Sequence, residues 1–493
     1  MLRRGKWLGA AAVAIVLIAG LIATAIPAQR SALAGVDNGH YGKKAKYVFF
    51  FIGDGMGMAQ INASEIFKGT LESTDPMYKG KLNFAAFPNQ GMQTTNSANT
   101  FITESAAAGT ALATGHKTNN DVLGMDPSKS VKFKSMAEMA KEKGMKVGIV
   151  TSVSLDHATP GAFYAHEPTR KNYYEIELAM VNSGFDYFAG GGLLAPTGAK
   201  KNRQNVIDIA KANGYTVANT KEEIANLNPG SGKVIAINPG LASEEAMQYE
   251  IDRTNQYSLA DFTRQGIQQL DNPNGFFMMV EGGKVDWACH ANDAATTVRD
   301  VLAFESAIGE ALKFYAQHPD ETLIVVTGDH ETGGMGLGFA GTEYQTFFNK
   351  INKQKLSFEE FDKAISEYRK VVGPGGANLN DWLPILADKF GLTELSDYDK
   401  SRLSAALAAS MVEAKKRNSD PNSNLLYGTY EPFSVTVTHI LNQKAGIGWT
   451  TYAHTGVAIP VFAQGLGGEM FRGYYDNTDI AKKLMSIMGL QYQ

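Results

Sequence analysis

Apolar residues along this chain fall in short unbroken runs, and polar, glycine-rich turns follow most of them. Tyr47 to Ile52 is a continuous apolar stretch, the pattern of a strand buried on both faces. Lys146–Thr151, Phe185–Ala189, Gly275–Val280, Thr322–Thr327 and Val457–Phe462 repeat it. Helical patterns lie between them. An Ala-rich run after Ser105 favours a helix by intrinsic propensity, and another helical stretch starts near Asn172. From about residue 340 to 445 the character changes. Gly373-Pro374-Gly375-Gly376 is a linker-like break, and Ser401–Lys416 predicts a helix with Leu403, Leu407, Met411 and Ala414 on one stripe. That block is expected to be a mostly helical insertion whose stripe packs on the main body. No internal repeat or low-complexity tract interrupts the chain.

The turns carry the chemistry. Asp54 stands between two glycines directly after the first run, and ligands bind at that end of the strands in open parallel sheets. Alone, such an aspartate is usually a turn residue. Asp286 and His290 are four apart, so one helical turn places both on one face, where they suit zinc or form a surface ion pair. Asp329 and His330 follow another buried run, and His454 precedes the last. Ser105 is expected in the first turn of its helix, where unpaired N–H groups favour an anion; an ordinary serine cap is the other reading. Arg170 either clamps a tetrahedral oxyanion with its planar fork or is a surface arginine near a helix start. Four strand-adjacent turns with Asp, Glu or His point to one sheet edge.

Composition narrows the class. The 493 residues are 44% hydrophobic and 19% charged, as in a soluble globular protein, and the net charge of −4 lacks the basic footprint of a nucleic-acid binder. A basic start, an apolar run from Trp7 to Ile26 and Ala32-Leu33-Ala34 predict a signal peptide over 1–34, or an uncleaved anchor, because the run is nearly membrane-spanning. The expected location is periplasmic or secreted, with membrane attachment only if that segment is retained. Cys289 is the single cysteine, so no internal disulfide forms; a lone buried thiol is expected rather than a metal ligand.

Taken in order, Gly53-Asp54-Gly55-Met56-Gly57, Ser105-Ala106-Ala107, His157-Ala158-Thr159-Pro160 with Arg170, Glu281-Gly282-Gly283-Lys284-Val285-Asp286 with His290, Asp329-His330 and His454-Thr455-Gly456 resemble the alkaline phosphatase family. The match runs from about Tyr47 to Gly465 and is weakest over the insertion and parts of 195–270. The resemblance implies an α/β fold over 35–493, with a large, mostly parallel central sheet flanked by helices on both faces. It implies hydrolysis of phosphate monoesters through a phosphoserine on Ser105, activity that rises at alkaline pH, and a homodimer. It also implies two zinc ions, one held by Asp286, His290 and His454, the other by Asp54, Asp329 and His330. A magnesium would take oxygen ligands from Asp54, Thr159 and Glu281, and Arg170 would bind two phosphate oxygens. Three departures stand out. Glu104 replaces the more common aspartate, changing how Arg170 is positioned. His157 and Trp287 replace the Asp and Lys of one branch, which implies a looser magnesium site or one partly taken by another metal. The cysteines that form disulfides in some relatives are absent. A same-superfamily phosphodiesterase or sulfatase and a non-catalytic phosphate-binding protein are the competing readings.

Overall fold

The computed structural model describes residues 43–373 and 375–492. The predicted signal segment, 1–34, lies outside them. Among the described residues no helix is long and apolar enough to cross a membrane.

Ten strands form one sheet: β1 Tyr47–Gly53, β2 Asn89–Thr94, β3 Lys146–Thr151, β4 Tyr187–Gly190, β5 Tyr215–Ala218, β6 Lys233–Ile237, β7 Phe276–Gly282, β8 Thr322–Gly328, β9 Ile459–Gly465 and β10 Gly473–Asp476. Their order across the sheet is β10-β2-β9-β8-β1-β7-β3-β4-β6-β5. Every pairing is parallel except those of β9, which runs antiparallel to both β2 and β8. The fold is therefore α/β with a mostly parallel sheet.

The unbroken apolar runs are explained by cover on both faces. Val48, Phe50 and Ile52 of β1 enter one core with the Ala-rich helix and the C-terminal helix Asn477–Met488. Tyr47, Phe49 and Phe51 point the other way, into a core with Phe262, Phe304 and Phe314. Alternation of side chains along a strand makes this inevitable once both faces are packed.

The helices that matter for the site are α1 Met58–Glu72, α2 Ser105–Thr114, α3 Lys284–His290, α4 Ala294–Tyr315, α5 Phe358–Val372, α6 Asp397–Ser410 and α7 Pro432–Ala445. Between 340 and 445 the described elements are all helical. Leu403, Leu407 and Met411 pack in a third core with Phe361, Trp382 and Phe433, which reaches Phe67 of α1 and Ala294 and Val298 of α4. The predicted helix over 401–416 is shorter than expected: α6 stops at Ser410, and a separate turn, Ala414–Arg417, leaves Ala414 exposed. Arg417 and Arg369, whose Nε donates to the Ser410 carbonyl at 2.5 Å, cap the break. Arg417 Nη1 donates to the Val412 carbonyl at 3.0 Å and the Ser410 carbonyl at 3.4 Å, satisfying groups that a continuing helix would have bonded.

Candidate active site

Register places the acidic turns at one rim. Gly53 pairs with Gly282 of β7 and Gly328 of β8, so Asp54 and Asp329 leave adjacent strands at the same level. Glu281, still within β7, lies level with Ile52 and Thr151. Strand β9 enters the sheet from this same rim because it runs the other way. The residues before it form a short ladder, His454 against Thr332 and Thr455 against Glu331. Gly55 turns the chain through this crowd at φ +68°; a Cβ there would meet Thr332 Oγ1 at 2.8 Å and Asp286 Oδ1 at 2.9 Å.

Ser105 is the first residue of α2, as expected, but the cap is Glu104, whose carboxylate accepts from the Ala106 and Ala107 amides at 3.0 and 2.8 Å. The Ser105 hydroxyl is buried, 3.4 Å from His330 Nε2. His330 Nε2 in turn lies 3.4 Å from Asp54 Oδ1 and 3.3 Å from Asp329 Oδ2. A second cluster stands beside it: Asp286 Oδ2 is 3.3 Å from His290 Nε2, Asp286 Oδ1 is 3.6 Å from His454 Nε2, and the two imidazole nitrogens are 3.0 Å apart. Asp54, Glu281 and His157 make a third group, with Thr159 Oγ1 3.4 Å from Asp54 Oδ2. Within each group one candidate ligand atom per residue lies within 4.8 Å of the others.

These donors fit divalent cations. Asp54, Glu281, Asp329 and His330 are wholly buried, yet Asp54 Oδ1, Glu281 Oε1 and Asp329 Oδ2 have no hydrogen-bond partner. Buried carboxylates this close and unpaired need positive charge to remain ionised. Burial and mutual repulsion push Asp54 and Asp329 well above the usual carboxylate range, and burial raises Glu281 to about 7. The imidazoles are oriented from behind. His290 Nδ1 lies 2.6 Å from the Tyr452 carbonyl and His454 Nδ1 2.9 Å from the Thr103 carbonyl. A carbonyl only accepts, so each Nδ1 carries a proton and each Nε2 is the nitrogen turned toward the cluster.

The third group divides differently from its proximity. Arg170 Nη2 lies 2.9 Å from His157 Nε2. A guanidinium only donates, so this Nε2 accepts and the neutral ring carries its proton on Nδ1. Burial, then Arg170, hold His157 down to about 3, so it is neutral. Its Nδ1 has no hydrogen-bond partner; with a proton there and Nε2 taken by Arg170, the ring has no lone pair to give a cation, which leaves Thr159 and the two carboxylates as an all-oxygen set. Arg170 Nη1 donates to Glu104 Oε2 at 2.7 Å. Against the upward push of burial, Arg170 and the backbone N–H groups hold Glu104 below the ordinary glutamate range. Trp287 packs edge-on to His157, ring centres 6.0 Å apart. Cys289 is buried beside Thr297 and Gln60 and belongs to none of the three groups among the described residues.

At the rim lies an open cavity of about 560 Å³ lined by Ser105, Arg170 and His454 and also by Phe358, Asp362 and Tyr430. The last three come from the insertion. Sequence patterning treated that block only as packing, because nothing in a helix stripe reveals what its ends overhang.

A model of the family described as alkaline phosphatase matches residues 45–490. Alkaline phosphatase 4 of Bacillus subtilis is 33% identical over 90% of this chain and 88% of its own length. The solved cold-active alkaline phosphatase of a psychrophilic Shewanella species superposes with a TM-score of 0.74 at 30% identity, over 90% of this chain and 99% of that one. A mutant of the alkaline phosphatase of the Antarctic bacterium TAB5, with a TM-score of 0.63 at 28% identity over 91% and 99% of the two chains, is described with Mg in its M3 site. The chain that gathers three candidate metal-ligating groups near one serine is thus matched along nearly its whole length by metal-dependent phosphatases, and it belongs to the alkaline phosphatase family, hydrolysing phosphate monoesters.

Proposed function

We propose that Ser105 is the nucleophile of this phosphatase and that the three groups around it hold two zinc ions and one magnesium. The observation that carries the reading is the position of the Ser105 hydroxyl, buried at the start of α2 and 3.4 Å from an imidazole shared between two unpaired carboxylates. Asp286, His290 and His454 offer mixed nitrogen and oxygen donors for one zinc, and Asp54, Asp329 and His330 for the other. Asp54, Thr159 and Glu281 offer oxygen alone, which suits a hard cation, and the Mg in the TAB5 mutant supports that choice. Bound there, the metals supply positive charge that favours the serine alkoxide and steadies the departing oxygen.

The chain's own groups do the rest. The Ala106 and Ala107 amides are occupied by Glu104, so they are not free to bind phosphate. Arg170 takes that role. Glu104 and His157 use one N–H from each Nη, leaving donors for two non-bridging phosphate oxygens. Ser105 Oγ bonds to phosphorus as the ester P–O bond breaks and the alcohol leaves. Water then replaces the serine oxygen on phosphorus and frees inorganic phosphate.

Replacing Ser105 with alanine is expected to cut monoester turnover at least about a thousandfold, with zinc content, measured by atomic emission, near wild type. Retained turnover would refute the assignment. We further read the protein as an exported homodimer. The N-terminal apolar run and the family resemblance support this, and cell fractionation and light scattering test it.

A further inference from the structure

The outer wall of the active-site cavity has a chemistry that phosphate transfer does not use. Phe358 at the start of α5, Tyr249 and Tyr430 form a chain of rings, with centres 5.7 Å apart (Tyr249–Phe358) and 6.0 Å apart (Phe358–Tyr430), all lining the cavity that holds Ser105. Among the ionisable side chains of that wall, Glu244, Glu359, Asp362 and Glu431 face one cation, Arg417. Most of this charge is internally matched. Glu359 pairs with the buried Lys284 at 3.3 Å, and Glu431 is gripped by Arg417 and Arg369. Glu244 and Asp362 have no cation within ion-pair distance among the described residues; the Asp362 carboxyl interacts with Ser434 and feels the charge of Arg417, and its buried Oδ1 has no hydrogen-bond partner.

Resting on the phosphatase reading of Ser105, we propose that this wall is a leaving-group subsite for the ammonium group of phosphorylated amino alcohols, held against Tyr430 and Phe358 and facing Asp362 and Glu244. Aromatic faces beside carboxylates are the standard chemistry for a substituted ammonium. The wall already sets one lysine amine in this kind of surrounding: Lys284 Nζ lies 3.6 Å from the centre of the Tyr249 ring, beside Glu359, which offsets part of the cost of its burial. A second anionic group on the alcohol portion would face the same carboxylates and bind poorly. Burial raises Asp362 to about 8, so an arriving cation stabilises the ionised form.

The test uses the metal-loaded full-length enzyme, assayed above the Asp362 pKa of about 8, on three esters of one shape. These are choline phosphate, its uncharged isostere with carbon in place of nitrogen, and a carboxylate analogue. A kcat/KM for choline phosphate about fivefold or more above the neutral ester, with the carboxylate ester lowest, is expected. Equal values for the charged and neutral esters, or the reverse order, overturn the proposal while leaving the phosphatase standing. Failure of all three esters strikes at the Ser105 reading instead. In Asp362→Asn and Tyr430→Leu the preference should fall toward unity, and Tyr430→Phe should retain it. A preference unchanged in both Asp362→Asn and Tyr430→Leu would place the recognition elsewhere and overturn this assignment. If Tyr430→Leu fails to fold, Asp362→Asn and the wild-type ratio decide.

Discussion

At Glu104 a side chain one methylene longer than aspartate caps α2 with one carboxylate and, from the same group, holds Arg170 at 2.7 Å. Both functions disappear in Glu104→Ala. The lost cap should cost about 1 kcal/mol of stability in denaturant unfolding. The loosened guanidinium should raise KM for a monoester more than it lowers kcat, and an unchanged KM would show that Arg170 is positioned without it. Arg170→Ala should go further, weakening substrate and inorganic phosphate binding roughly ten- to a hundredfold, as measured by KM and product inhibition. Individual residues were the most legible part of this chain. Asp54, Asp286 and Asp329 announce themselves because apolar runs end beside them. The tautomers of His157, His290 and His454 were illegible, since they depend on an arginine and on two distant carbonyls, Tyr452 and Thr103.

Among the elements, the insertion departs most from its pattern. Leu403, Leu407, Met411 and Ala414 read as one stripe, but Arg417 takes the carbonyls that would have continued α6 and buries its guanidinium against Glu431. Arg369 still serves the Ser410 carbonyl and Glu431, so Arg417→Met leaves the Val412 carbonyl unmet and removes one of two guanidiniums from Glu431, and should destabilise the insertion by about 1–2 kcal/mol. Hydrogen exchange accelerated in 397–445 and not in the sheet would register it; uniform protection would contradict it. Asp362 makes a signed pH prediction for α5. Burial raises it from 3.8 to about 8, so the folded state holds a proton that the unfolded chain releases. Its stabilising contribution is complete below about pH 4, and falls as pH climbs through its folded pKa near 8. Asp362→Asn should flatten that decline in unfolding curves. Of the strands that patterning passed over, β6 had a readable apolar run, Val234–Ile237, and β2 did not. Strand β2, Asn89-Gln90-Gly91-Met92-Gln93-Thr94, has one large apolar residue and owes its place to hydrogen bonds with β9 and β10, which no local signal encodes.

For the whole molecule, the unpaired carboxylates at the rim predict that bound metal is a structural component as well as a catalytic one. Removal with a chelator should abolish activity and lower Tm by at least about 5 °C, because ligands that bind only the folded state stabilise it by mass action. Zinc with magnesium should restore both. An unchanged Tm would mean that the buried acids are neutralised by protons instead. Strand β9 adds a consequence in time. The ribosome makes Asp54, Ser105, Arg170, Asp286 and Asp329 long before it makes His454, and only the reversed strand delivers that imidazole to the others. On the proposed assignment, a nascent polypeptide thus has its attacking hydroxyl and its phosphate clamp and still lacks a complete cage. Hydrolysis is then expected to begin only once synthesis is nearly over, and a chain truncated before His454 should show no monoester turnover.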